Sequence, residues 1–257
     1  MLSLFKKRFL NSIYIFFLGA ISSYSLPPYN YFVINFITFS LFFIFLFNKK
    51  RKHSNNKYFF KYGWLFGFGY FLFSLYWISI SLTFDQSVKF LIPLALILLP
   101  AFLAIFYGFV TYLFSIFYSK NTVSSLLIFS ILFGTIEFAR GTILTGFPWN
   151  LVAYSFSESI YFIQILSIIG TYSFNLFCIS LFSLPALFVL QKTRKEIIVC
   201  LLFIGVSVSF LIFGKMKNNE FNSFKSIKNS FTIRAISPNI SLDRFYSKKG
   251  ELEIINE

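Results

Sequence analysis

Residues 123–150 read VSSLLIFSILFGTIEFARGTILTGFPWN, and the two halves of this stretch belong to different surroundings. Val123–Ala139 is an apolar run of the length that crosses hydrocarbon as a helix, for which about 17–25 residues are needed. Near its end stand Glu137 and Arg140, three apart and so on one helical face, where they can form an ion pair. The chain then turns through Thr145-Gly146-Phe147-Pro148-Trp149-Asn150, with Gly and Pro as punctuation. A membrane helix that ends in charge, glycine and tryptophan is therefore one unit of this fold.

Further runs of the same kind lie on both sides of it: Phe9–Leu26, Tyr31–Phe47, Tyr58–Leu82, Phe90–Tyr118, Tyr172–Leu190 and Ile197–Phe213. The sequence thus predicts an all-α polytopic membrane protein of about seven transmembrane helices. Pro93 and Pro100 predict a kink in the fourth span and leave its start open. Composition agrees: 57% of residues are apolar and 12% charged, with a mean hydropathy of +0.73. Soluble domains have roughly 45–50% and about 25%. A soluble globule, a disordered chain, a collagen-like fibre and a disulfide scaffold are excluded on those grounds. With 41 Phe in the chain, a single Phe carries no functional signal.

The net charge of +14 would suggest nucleic acid in a soluble protein, but here the charges sit in clusters between apolar runs. With the N-terminus in the cytoplasm, twelve basic residues fall inside: Lys6, Lys7, Arg8, Lys49, Lys50, Arg51, Lys52, Lys57, Lys120, Lys192, Arg194 and Lys195. Only Lys89 and Arg140 fall in the outer connections. That asymmetry fixes the expected orientation under the positive-inside rule, and seven passes carry Gly214–Glu257 to the outer side. Ile21–Leu26 lacks a small-x-small cleavage site, so the first span reads as retained. Cys178 and Cys200 lie within spans and serve as small apolar residues, without metal or disulfide spacing. His53 is solvated filler in a basic loop. No cofactor or metal site is expected.

Two parts follow: a membrane region, 1–213, and a polar tail, 214–257. In the tail Phe231–Ile236 alternates as a strand, Ser237-Pro238-Asn239 ends it, and Asp243–Glu257 is a candidate surface helix. One strand cannot make a domain, so the tail reads as the opening of one. Of the connections, Leu26-Pro27-Pro28-Tyr29-Asn30 is a tight turn. Glu137 and Arg140 are either a site at the membrane boundary or a pair that fixes helix depth. Trp149 is either an interfacial anchor or a rigid platform for an acyl chain or headgroup. Ser157–Ser167 is amphipathic and expected in the outer interface before the sixth span. Gly63 and Gly67 form a Gly-xxx-Gly pair that allows close helix approach.

In this order the segments resemble the apolipoprotein N-acyltransferase family. The resemblance is carried by Leu26-Pro27-Pro28-Tyr29-Asn30, by Gly67-Phe68-Gly69-Tyr70-Phe71 with Tyr76-Trp77-Ile78, and by Glu137-Phe138-Ala139-Arg140-Gly141 with Thr145-Gly146-Phe147-Pro148-Trp149-Asn150. Gln164, Gly170-Thr171-Tyr172 and Arg234-Ala235-Ile236-Ser237-Pro238-Asn239-Ile240 extend it; Ser237 departs from the Gln of the family pattern. It covers about residues 10–240, and the Arg-Gly…Thr-Gly-Phe-Pro-Trp stretch is its most specific part.

The resemblance implies acyl transfer. An acyl chain passes from a phospholipid donor to an enzyme thiol as a thioester, then to the α-amino group of a lipoprotein's diacylglyceryl-cysteine. It further implies a bacterial inner membrane location and an α/β nitrilase-like outer domain bearing a Glu–Lys–Cys triad, of which residues 231–236 would be the first strand. No residue here matches that triad, so no catalytic residue is assigned; the triad is expected beyond residue 257, and the chain reads as a truncated sequence, a split enzyme or a remnant. The share of the work left to this chain is lipid recognition, with Glu137, Arg140 and Trp149 at the rim of a groove over spans three to six. The partners implied are the phospholipid donor, the lipoprotein acceptor and membrane lipid, with no nucleic acid. Two other readings stand beside this one. A non-catalytic lipid-binding scaffold fits the chain taken alone. A permease fits less well, because the span cores hold almost no ionisable groups.

Overall fold

The computed structural model describes residues 2–52, 55–84, 86–144, 146–224 and 234–236, with side chains from residue 9 onward. Its α-helices are α1 (Leu2–Ser22), α2 (Val33–Lys52), α3 (Lys57–Ser74), α4 (Ile78–Ser81), α5 (Ile92–Phe117), α6 (Thr122–Thr142), α7 (Ile160–Ile163), α8 (Leu166–Ser183), α9 (Pro185–Leu190) and α10 (Arg194–Ser223). Short 3-10 turns connect several of them, and the described residues contain no strand. The strand expected at 231–236 lies outside the described residues except for Arg234–Ile236, which have no regular structure. The helix expected at 243–257 lies wholly outside them.

Helices stand at each of the seven expected positions, and five segments are long and apolar enough to cross a bilayer: Val33–Lys52, Lys89–Phe117, Thr122–Thr142, Leu166–Leu190 and Arg194–Ser223. The protein is an all-α membrane protein. The apolar part of α1 is shorter, Phe9–Ser25. In α3, Lys57, Lys61, three glycines and the amphipathic Tyr and Trp rings dilute the apolar character. That helix also stops at Ser74, before the end of its apolar run at Leu82, and the chain re-enters helix only for one turn in α4. Pro93 takes the first turn of α5, where its missing N–H costs nothing, while Pro100 sits inside the helix. Gly170 breaks α8 with φ 75°, so Leu166–Ile169 and the spanning part diverge.

Close approach places α3 at the centre. A Cβ on Gly63 would fall 2.1 Å from the Tyr107 carbonyl oxygen of α5, and one on Gly19 would fall 1.9 Å from the Phe66 carbonyl oxygen. Bare glycine faces let backbones touch where lipid offers no hydrophobic drive for association. Thr111 Oγ1 reinforces the α3–α5 seam by donating to Phe59 O at 2.6 Å. Between α2, α3 and α6 the interior is aromatic: Phe42 stacks on Phe66 with centroids 4.2 Å apart, and Tyr107 meets Phe133 edge-on at 4.6 Å. The first turn is held by polar contacts, Ser22 Oγ donating to Asn35 Oδ1 and Asn35 Nδ2 to Ser25 Oγ.

Helix α10 differs from the rest. Only 11% of its most apolar window is buried, against 61% for Leu166–Leu190. It is tied at its start, where Thr122 Oγ1 donates to Glu196 Oε1 at 2.6 Å, and near its end, where Gly214 lies against the Tyr161 carbonyl. Although apolarity ends at Gly214, the helix continues to Ser223.

Candidate functional site

The site forms where α3, α5, α6 and α8 meet the connection that follows α6. Glu137 and Arg140 occupy the last turns of α6 and are completely enclosed, with 0% and 1% of their surface exposed. A buried charge is tolerated only when paired and hydrogen-bonded, and both are. Arg140 Nη2 lies 3.6 Å from Glu137 Oε1. The Tyr107 hydroxyl of α5 donates to Glu137 Oε1 at 2.7 Å, and Asn175 Nδ2 of α8 donates to Oε2. On its other side the guanidinium lies over the Phe71 ring, 5.2 Å from the centroid.

Arg140 also serves the connection, while its Nε and Nη2 meet no hydrogen-bond acceptor among the described residues. Its Nη1 donates to Phe147 O at 2.7 Å and to Trp149 O at 2.9 Å. One guanidinium thus faces two ways, Nη2 toward the Glu137 carboxylate and Nη1 toward the two loop carbonyls. The loop reaches them because Gly146 adopts φ 81°, and a Cβ there would crowd the Gly141 carbonyl. From α3, the Tyr70 hydroxyl donates to Asn150 O at 3.1 Å, and Asn150 Nδ2 donates to Ser74 O at 3.3 Å. Asn175 links the far side, its Oδ1 accepting from the Ala153 N–H at 2.9 Å. Outside the spans, burial pushes the Tyr154 phenol up, and its hydroxyl donates to Pro148 O at 3.3 Å.

What this cage presents outward is tryptophan. Trp149 and Trp77 stack with centroids 5.0 Å apart and planes 15° from parallel, and they remain 50% and 40% exposed. Trp77 is itself fixed by donation from Nε1 to Ser74 O. The three residues singled out from sequence therefore divide: Trp149 reaches the surface, while Glu137 and Arg140 are sealed inside and Arg140 bonds the Trp149 backbone carbonyl. Sequence reasoning missed Tyr107 and Asn175, the two donors to Glu137, and the Trp77 stack. Asn175 was findable as a carboxamide in an apolar run, since a polar group there needs a partner.

The Glu137 carboxylate is occupied by three neighbours, Cys178 and Cys200 are buried, and no group of three or more metal-binding side chains occurs among the described residues. A rigid, flat aromatic pair at the end of a membrane bundle suits an acyl chain or lipid headgroup.

The pattern of the apolipoprotein N-acyltransferase N-terminal domain matches residues 18–184, which hold every side chain of this cage. The chain belongs to the apolipoprotein N-acyltransferase family. Proteins of that name with similar sequences include those of Rickettsia prowazekii (38% identical, over 70% of this chain and 36% of the relative), Rhizobium etli (32%, over 76% and 36%) and Rhodopseudomonas palustris (30%, over 91% and 44%). The chain thus spans less than half the length of these apolipoprotein N-acyltransferases. With the apolar helices, membership makes it a multi-pass membrane module of that family.

Proposed function

We propose that this chain is the membrane half of an apolipoprotein N-acyltransferase of a bacterial inner membrane. All seven long helices cross, the N-terminus is cytoplasmic, and the tail leads outward into the nitrilase-like domain. In the complete reaction an enzyme thiolate attacks the acyl ester of a phospholipid, forming a thioester and releasing the lysophospholipid. The lipoprotein's α-amino group then attacks the thioester, giving an amide and returning the thiol. The reacting groups belong to residues outside this chain; its own share is to hold lipid near them.

The observation that carries this reading is the exposed Trp77–Trp149 stack, locked to a buried ion pair by the Arg140 bonds to Phe147 and Trp149. A platform held this firmly orients a flexible acyl chain at little entropic cost when it binds. In the complete protein Trp149→Ala is expected to slow acyl transfer from phospholipid about tenfold, the rate counterpart of about 1.4 kcal/mol, with membrane insertion unchanged. Measuring transfer and inserted protein side by side checks this; a parallel fall in both would leave Trp149 as an anchor only.

A further inference from the structure

A second lipid-facing feature lies away from the tryptophans. Between α2, α7 and α10 opens a cavity of about 530 Å³. Its α10 wall is Ile204, Ser207, Val208 and Leu211, spaced as one helical face, and Phe36 and Phe162 stand opposite. The polarity of Ser207 is consumed within the helix, its Oγ donating to Phe203 O at 2.8 Å, so the α10 wall of the trough is apolar. It runs beside the seam that α10 makes with the bundle, where α10 is held at Glu196 and Gly214 and packs Phe203 and Phe210 on Phe177.

One end of the trough is polar. There Asn30, held at φ 56°, donates from Nδ2 to Glu158 Oε1 at 2.6 Å, joining the α1–α2 and α6–α7 connections. Glu158 is exposed and forms no ion pair with Lys or Arg among the described residues. Tyr29, Tyr31 and Tyr161 stand exposed around this end, as rings do at headgroup level.

The geometry points to a resident lipid: one acyl chain lies in the trough between α2 and α10, and a headgroup ammonium meets the Glu158 carboxylate. An apolar slot opening sideways from a membrane helix into hydrocarbon is filled by lipid tails. An anionic group at its mouth, with no ion-pair partner among the described residues, selects a head that ends in a cation. This lipid is not the acyl donor at the tryptophans, and its binding does not depend on the acyl-transfer reading.

The test places a photoreactive residue at Ser207 in the protein reconstituted in bilayers of equal phosphatidylethanolamine and phosphatidylglycerol, followed by mass measurement of the adduct. The expected product is protein plus one phospholipid, with the ethanolamine lipid favoured about threefold, as one exposed ion pair allows. Glu158→Gln, which leaves the trough intact, is expected to abolish the preference while keeping the adduct. A cross-link to polypeptide, no lipid adduct, or an ethanolamine preference unmoved by Glu158→Gln would each overturn the proposal. Acyl transfer by the complete protein carrying Glu158→Gln is expected to persist, which separates this site from the tryptophan platform.

Discussion

Replacing Arg140 with Leu is expected to destabilise the protein by about 3–5 kcal/mol, the cost of leaving a buried carboxylate without its partner. Glu137 would keep the Tyr107 and Asn175 donors but lose the neighbouring cation, and the carbonyls of Phe147 and Trp149 would lose theirs. Denaturant unfolding of the detergent-solubilised protein measures this directly. Removing both charges, Glu137→Gln with Arg140→Met, is expected to recover much of the loss. Isosteric neutral replacement of a buried pair is far milder than breaking it. Equal instability of the single and double variants would mean that the pair contributes only through the loop carbonyls.

The second large effect is steric. Gly63→Leu forces a side chain into space where even a Cβ would sit 2.1 Å from the Tyr107 carbonyl oxygen and 2.2 Å from Thr111 Oγ1. Backbone cannot yield locally, so α3 and α5 must part, at a cost of about 3 kcal/mol. Parting them also draws Tyr107 from Glu137, so the seam and the charge cage fail together. Gly205→Leu is the control: nothing lies within 4 Å of its Cβ position, and unfolding is expected to be unchanged. Leucine is the better helix former, so equal destabilisation at both positions would show that the α3–α5 contact does not set the response.

These two sites also show what one sequence carries and what it hides. The apolar runs and the Gly63/Gly67 spacing announce helices and close approach, because both are local periodicities. The Glu137–Arg140 pair is likewise legible at three residues apart. Its burial is not, since i,i+3 spacing is the same on an exposed helix as on an enclosed one. Tyr107, Asn175 and Trp77 join the site across 30, 38 and 72 residues of chain. Nothing in a single sequence states which distant helices become neighbours. Helix boundaries slipped for a simpler reason: α10 passes the compositional break at Gly214 because a helix already formed extends one hydrogen bond at a time through Lys, Met and Glu. Conversely α3 ends within its apolar run, at Ser74, where the chain must bend to place Trp77 beneath Trp149.

If Arg140 serves acyl transfer by holding Trp149 in place, a double-mutant cycle on transfer by the complete protein will show the two residues to be coupled. Arg140→Lys keeps a positive charge, but its single nitrogen cannot lie beside Glu137 and also reach the two loop carbonyls as Nη2 and Nη1 do. Arg140→Lys and Trp149→Ala are each expected to slow transfer about tenfold, and the combination is expected to be no slower than the worse single change, because coupled residues fail to add. Losses that multiply, or an Arg140→Lys protein as fast as the parent, would contradict it.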